Sequence, residues 1–195
     1  MDQFRYALAV VLVCMVPALL LYWSLIHGFI RFWRKLGPRR TLMIVWIGMA
    51  LVACGIFQFR GHLIACDFGT SWPLVAAGFV CLVVAGRVRM LLRRQITNRF
   101  LLGIPELEPD GSGQALVREG LYARVRHPRY LQMILALLGW SLIANYLAAY
   151  LAWLLWIVAV NIIVRLEERE LRGRFGADYE QYIREVPRFI PRRKS

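Results

Sequence analysis

The chain has 195 residues, 59% of them hydrophobic, and a formal charge of +13 at neutral pH. A soluble domain is about 45–50% apolar; the excess here is gathered into charge-free blocks, which excludes an ordinary soluble enzyme and points to membrane spans. The basic residues flank those blocks and leave no polar module between them that could read nucleic acid, so the charge is a topology signal and nucleic acid is not an expected partner.

The first block lies between Arg5 and Arg31, with His27 inside it. It is too long for the apolar region of a signal peptide, and no small-residue cleavage site follows, so a retained helix is expected, kinked at Pro17. Gly37-Pro38 supplies the turn of the next loop. Two further blocks run from Thr41 to Phe59 and from Phe68 to Gly86. Trp23, Trp33, Trp46 and Trp72 lie toward span ends, where a tryptophan anchors a helix at the interface, or within apolar faces. Cys14, Cys54 and Cys81 fall inside the blocks and Cys66 in a short loop; without Cys-x-x-Cys or metal-ligand spacing they read as free thiols, and no metal is expected.

Gln95 to Arg126 is the longest polar stretch and is expected to form a loop or small cap; its Gly111-Ser112-Gly113 reads as a turn rather than a phosphate cradle. From Tyr130 to Val164 no side chain is charged. That run is too long for one span of roughly 20 residues and suits two short helices turning near Asn145-Tyr146. Beyond it, Leu171, Phe175, Tyr179, Tyr182 and Val186 recur at helical spacing, the mark of an amphipathic helix that Gly176 could break. Glu168 with Arg172, and Glu170 with Arg174, stand four apart and would pair along its polar face. The two prolines of Val186–Pro191 end the helix.

The expected fold is all-α: a polytopic membrane protein of five helices, with residues 1–94 forming three N-terminal spans and residues 95–195 the loop, hairpin and C-terminal helix of a catalytic region. Of the 25 basic residues, all but Arg5 and Arg60 then share one side. The positive-inside rule makes that side cytoplasmic and puts the N-terminus outside. A bacterial inner membrane protein with its site facing the cytoplasm is expected.

Chemistry concentrates at Arg126-His127-Pro128-Arg129-Tyr130, where the basic loop meets the hairpin, and at Glu167-Glu168, where the hairpin ends. Antiparallel neighbouring helices lie about 10 Å apart or less, so the two clusters should meet. A polar pocket at a membrane boundary is costly unless it binds something. On a helix Glu167 and Glu168 point about 100° apart; one should face the site and the other should pair with Arg172.

From Leu116 to Pro191 these residues resemble the isoprenylcysteine carboxyl methyltransferase and phospholipid methyltransferase group of membrane enzymes. The resemblance rests on Leu116-Val117-Arg118-Glu119-Gly120-Leu121-Tyr122, the Arg126–Tyr130 stretch, Asn145, Glu167-Glu168, Phe175-Gly176, Tyr179, Tyr182 and the Pro187–Pro191 tail. The chain departs from the pattern at Gln114, Gln132 and Glu185. The resemblance implies S-adenosylmethionine as cofactor, lined by His127, Tyr130, Leu116, Val117, Gly120 and Tyr122, with Glu167 or Glu168 toward its cationic groups. It also implies a lipophilic or lipid-modified acceptor drawn from the membrane lipids around it. In-line displacement at a sulfonium needs aligned reactants. A carboxylate acceptor needs an arginine to place it, Arg188 first and Arg126 second; a lipid amine needs a base, from Glu167, Glu168 or His127. The tail is expected to act as a lid. A non-catalytic scaffold or lipid-binding protein of the same fold is the alternative, separable by cofactor binding. A transporter is disfavoured by the apolar mid-spans.

Overall fold

A computed structural model describes residues 1–93 and 116–191. In chain order it holds α1 (Asp2–Gly28), α2 (Ile30–Leu36), α3 (Pro38–Gln58), α4 (Arg60–Leu63) and α5 (Trp72–Arg93). After a 3₁₀ turn (Gly120–Ala123) come α6 (Pro128–Ala144), α7 (Leu147–Phe175) and α8 (Ala177–Glu185). Helices α1, α3, α5 and α7 are long and apolar enough to cross a membrane. Helix α6 is apolar but has only 17 residues, about 26 Å at 1.5 Å per residue, just short of a typical hydrocarbon core. The chain is an all-α polytopic membrane protein with four full-length candidate spans and one short one. The Gln95–Gln114 stretch of the expected loop, Gly111-Ser112-Gly113 included, lies outside the described residues.

Helix α1 is the hub and packs on α3, α6 and α7. Its buried Cys14, Val16, Ala18, Tyr22 and Ile26 meet Val45, Met49 and Ala53 of α3 and Ala152, Trp156, Val160 and Ile163 of α7 in one apolar core. The opposite face of α3 exposes Met43, Ile44, Trp46, Ile47 and Leu51, side chains that lipid rather than water must cover. Helix α5 is peripheral and leans on α6. Its buried Gly78, Ala85 and Leu92 are seven apart, which draws one narrow seam along the helix. The backbones nearly touch on that seam: a Cβ on Gly78 would stand 2.6 Å from Gly139 O, and one on Gly139 2.7 Å from Gly78 O. Small residues allow such approaches between membrane helices.

At the end away from the basic loops, Asn145 takes the left-handed conformation (φ 54°) as the C-cap of α6. Its side-chain amide donates to Gly69 O at 2.8 Å, and Phe68 N donates to Asn145 O at 3.1 Å. Arg5, fully buried, donates to Ala144 O and pairs with Asp67 and Asp2. This clasp ties the start of α1 and the loop before α5 to the hairpin turn. Burial opposes the charge on Asp67, but the Gly69 amide and Arg5 outweigh it and hold the carboxyl below its ordinary value.

Helix α1 is continuous from Asp2 to Gly28, with Pro17 inside it. Of the two places expected for the tryptophans, Trp23 and Trp33 take the apolar core. Helix α7 does not stop with the apolar run at Val164; it carries its charged residues out to Phe175, because a helix that has left the hydrocarbon still satisfies its own backbone. Gly176 (φ 52°) then divides the expected amphipathic helix into the end of α7 and all of α8. The four cysteines are free.

Candidate active site at the basic end of the bundle

Pro128 at N1 starts α6, where its fixed φ and missing N–H cost nothing. That leaves Arg126 and His127 as the last two residues before the membrane helix, with His127 at its N-cap. The tail runs beside them: Arg126 N donates to Pro187 O at 2.9 Å and His127 N to Arg188 O at 3.2 Å. Two backbone bonds thus fasten the tail to the hairpin, so the expected lid is held as a wall. Arg126 adds Nη1 bonds to Ile183 O at 3.1 Å and Val186 O at 2.6 Å, which cap the end of α8.

Glu168 is the centre of the site. It is 1% exposed, and its Oε1 accepts from Arg126 Nε at 3.2 Å and Nη2 at 2.9 Å. His127 Nε2 lies 3.1 Å from the same oxygen, and Arg188 Nε donates to it at 3.1 Å. Arg188 Nη2 pairs with Oε2. One carboxylate therefore joins the hairpin start, α7 and the tail, and a buried charge so fully paired is tolerable where a lone one is not. The bond to Glu168 pushes the Arg188 guanidinium further up in pKa, against the effect of burial. The expected Glu168–Arg172 pair does not form, because Glu168 points inward; Arg172 instead pairs with Glu180 of α8 at 2.8 Å.

Glu167 stands beside this network and is only partly covered. Its Oε2 is buried, has no hydrogen-bond partner among the described residues and lies 3.9 Å from His127 Nδ1. The Tyr179 hydroxyl is also buried and without a hydrogen-bond partner among the described residues. Burial first, then the charges of Glu168 and Glu167, push the Tyr179 phenol up. Burial followed by Glu167 does the same to Tyr122. Tyr182 donates to Tyr122 O at 2.7 Å, and burial raises its phenol to about 12.

Of the residues singled out from the sequence, His127, Arg126, Glu167, Glu168 and Arg188 do meet here. Tyr130 packs into the helical core, its ring 5.9 Å from that of His127. Leu116 packs on the cluster of Tyr179, Tyr182 and Val186, Val117 is half-buried next to it, and Gly120 (φ 58°) opens the turn that carries Tyr122. Arg126, expected as the second arginine to hold an acceptor, spends Nε, Nη1 and Nη2 on Glu168 and two carbonyls; its geometry is that of a brace. Arg188 keeps Nη1 without a partner among the described residues and is one-third exposed. Sequence reasoning missed the Tyr179 hydroxyl and Phe189, whose ring lies 6.1 Å from that of His127; the helical spacing of Tyr179 marked it only as an apolar face.

Fold and site together define an integral membrane protein with a buried ionic network at one end of its helices. Comparison with known proteins gives the family. The model for phospholipid methyltransferases matches residues 73–178, more than half of the chain, and the chain belongs to that family. It is 38% identical over 77 residues to protein-S-isoprenylcysteine O-methyltransferase of Schizosaccharomyces pombe, 39% of this chain and 33% of the relative. It is 38% identical over 81 residues to methanethiol S-methyltransferase 2 of Bradyrhizobium diazoefficiens, 42% of this chain and 30% of the relative. Delta(14)-sterol reductase LBR of Gallus gallus is 27% identical over 153 residues, 74% of this chain and 23% of the relative. The matches thus span only 23% to 33% of these relatives' lengths. No solved structure gives a significant match.

Proposed function

We propose that the chain is an S-adenosylmethionine-dependent methyltransferase that works at the cytoplasmic membrane face, in a bacterial inner membrane, on a lipophilic or lipid-modified acceptor. The observation that carries this is the orphaned carboxylate oxygen of Glu167, buried beside His127. A buried anion without a partner is unfavourable alone and favourable against a cation. The cofactor brings an ammonium and a sulfonium, and the unpartnered Tyr179 hydroxyl nearby offers a further polar contact, so the residues present fit it. When bound, it supplies an electrophilic methyl carbon with a good leaving group.

The rest is the work of the protein. Glu167 and His127 hold the cofactor's cationic side, while Leu116, Val117, Gly120 and Tyr122 line the segment opposite. Arg126 and Glu168 brace the tail, and the apolar helices keep water from the reacting atoms. Arg188, with Nη1 free of partners among the described residues, receives a carboxylate acceptor from the bilayer side and orients it for in-line attack. The relatives' names put the methyl group on oxygen in one and on sulfur in another, so the family alone does not choose the atom. The sterol reductase match reaches further along the chain, yet the anionic Glu167 suits a cationic cofactor better than the phosphates of a nicotinamide dinucleotide. Incubating membranes that contain the protein with donor labelled in its methyl group tests the proposal. Label should enter the organic extract and vanish in the Glu167→Ala variant; an unlabelled extract from wild-type membranes would contradict it.

A further inference from the structure

We infer that the outward face of α7 seats one anionic glycerophospholipid, with its phosphate between Arg165 and Arg169 and an acyl chain along the helix. The inference is independent of methyl transfer. Leu151, Leu155, Val158, Ile162, Arg165 and Arg169 recur at spacings of four, three, four, three and four, and all six are exposed. That spacing keeps them on one line of the helix surface. From Leu151 to Ile162 the helix climbs about 16 Å at 1.5 Å per residue, close to half of a hydrocarbon core about 30 Å thick. The line then changes from aliphatic to guanidinium within a single turn. Glu168, between the two arginines in sequence, meets Arg126 just before α6 begins. Arg165 and Arg169 therefore stand at the level where α6 enters the membrane.

Residues four apart on a helix are neighbours, and like charges at that spacing repel. Arg172, next on the same line, is answered by Glu180 at 2.8 Å. Arg165 and Arg169 have no hydrogen bond or ion pair among the described residues. Glu168 cannot answer them, because it points inward and is held by Arg126, His127 and Arg188. A phosphodiester would relieve the repulsion: its anionic oxygens accept from both guanidiniums, each a planar fork that matches phosphate. A zwitterionic lipid brings a cation of its own to this pair, whereas a lipid of net negative charge is drawn to both arginines. The occupant is a lipid rather than free phosphate, because the line runs on into exposed aliphatic side chains that an acyl chain covers and water does not.

Native mass spectrometry of the purified protein in detergent, with dioleoyl phosphatidylglycerol and dioleoyl phosphatidylcholine as competing probes, tests the seat. Wild type should hold the anionic lipid roughly tenfold more tightly. The double variant Arg165→Gln/Arg169→Gln should lose that preference. It should also fold, since neither side chain has a partner to lose among the described residues. Arg39→Gln/Arg40→Gln removes the same charge from exposed positions at the same end of the bundle and should keep the preference. Calorimetry with inorganic phosphate should show no saturable binding. Equal affinity of wild type for the two lipids would overturn the seat without any variant. An equal loss in both double variants would overturn it too, and would assign the preference to net charge. Inorganic phosphate bound as tightly as the anionic lipid would make the occupant a soluble anion and overturn it as well.

Discussion

Arg126→Met removes a guanidinium that makes two bonds to Glu168 and one each to Ile183 O and Val186 O. Breaking a buried ion pair by deleting one partner costs about 3–5 kcal/mol. Glu168 keeps Arg188 and His127, so the lower figure applies, about 3 kcal/mol, and methionine replaces much of the lost packing. The loss falls on the joint between tail and hairpin, not on the apolar bundle. At about 1.4 kcal/mol per decade it raises the open population of that joint on the order of a hundredfold. The His127 amide, which donates to Arg188 O, reports it. Hydrogen exchange in detergent should quicken there by about two orders of magnitude, while the Asn145 amide, bonded to Ser141 O at the far end, keeps its rate. Unchanged exchange at His127 would refute the brace.

Gly139→Val drives a side chain into Gly78 O and Leu82; α5 should lose its seat on α6, lowering thermal stability in detergent by about 1–3 kcal/mol, and a melting temperature equal to wild type would show that the crossing is not tight. Asp67 has a folded pKa below its ordinary 3.8, so the clasp's stabilisation is full above that value and is lost as pH falls through the depressed one. Acid titration of wild type should show this loss, and Asp67→Asn should flatten it; identical acid profiles would count against the clasp. Truncation after Glu185 removes the carbonyls of Val186, Pro187 and Arg188 to which Arg126 and His127 donate, leaving Ile183 O, and also removes the Arg188 side chain. It should abolish methyl transfer while the bundle keeps its helical circular dichroism, and full turnover would remove Arg188 from the site.

The four charge-free blocks made all five apolar helices legible, and the turn at Asn145-Tyr146 followed from the length of the last block. The convergence of Arg126, His127 and the two glutamates was legible because a hairpin brings its ends together whatever its interior packing. What could not be read was direction. Glu167 and Glu168 are adjacent, and only the rotation of α7 about its axis decides which points inward; that rotation is set by Trp156, Val160 and Ile163 packing on α1. The register of the tail was equally hidden, since Pro187 and Arg188 meet Arg126 and His127 through backbone atoms that no side-chain pattern marks. Gly78 and Gly139 looked like any glycine in an apolar run, and nothing in the sequence paired Arg5 with Asp67.

Binding of S-adenosylhomocysteine to the purified protein in detergent, wild type against Glu167→Ala, tests the central claim most directly. Glu167 is partly exposed and its Oε2 has no hydrogen bond to lose among the described residues, so the variant should stay folded. The account predicts saturable binding to wild type and a loss of at least tenfold in the variant. Equal binding by the two proteins would place the cofactor elsewhere.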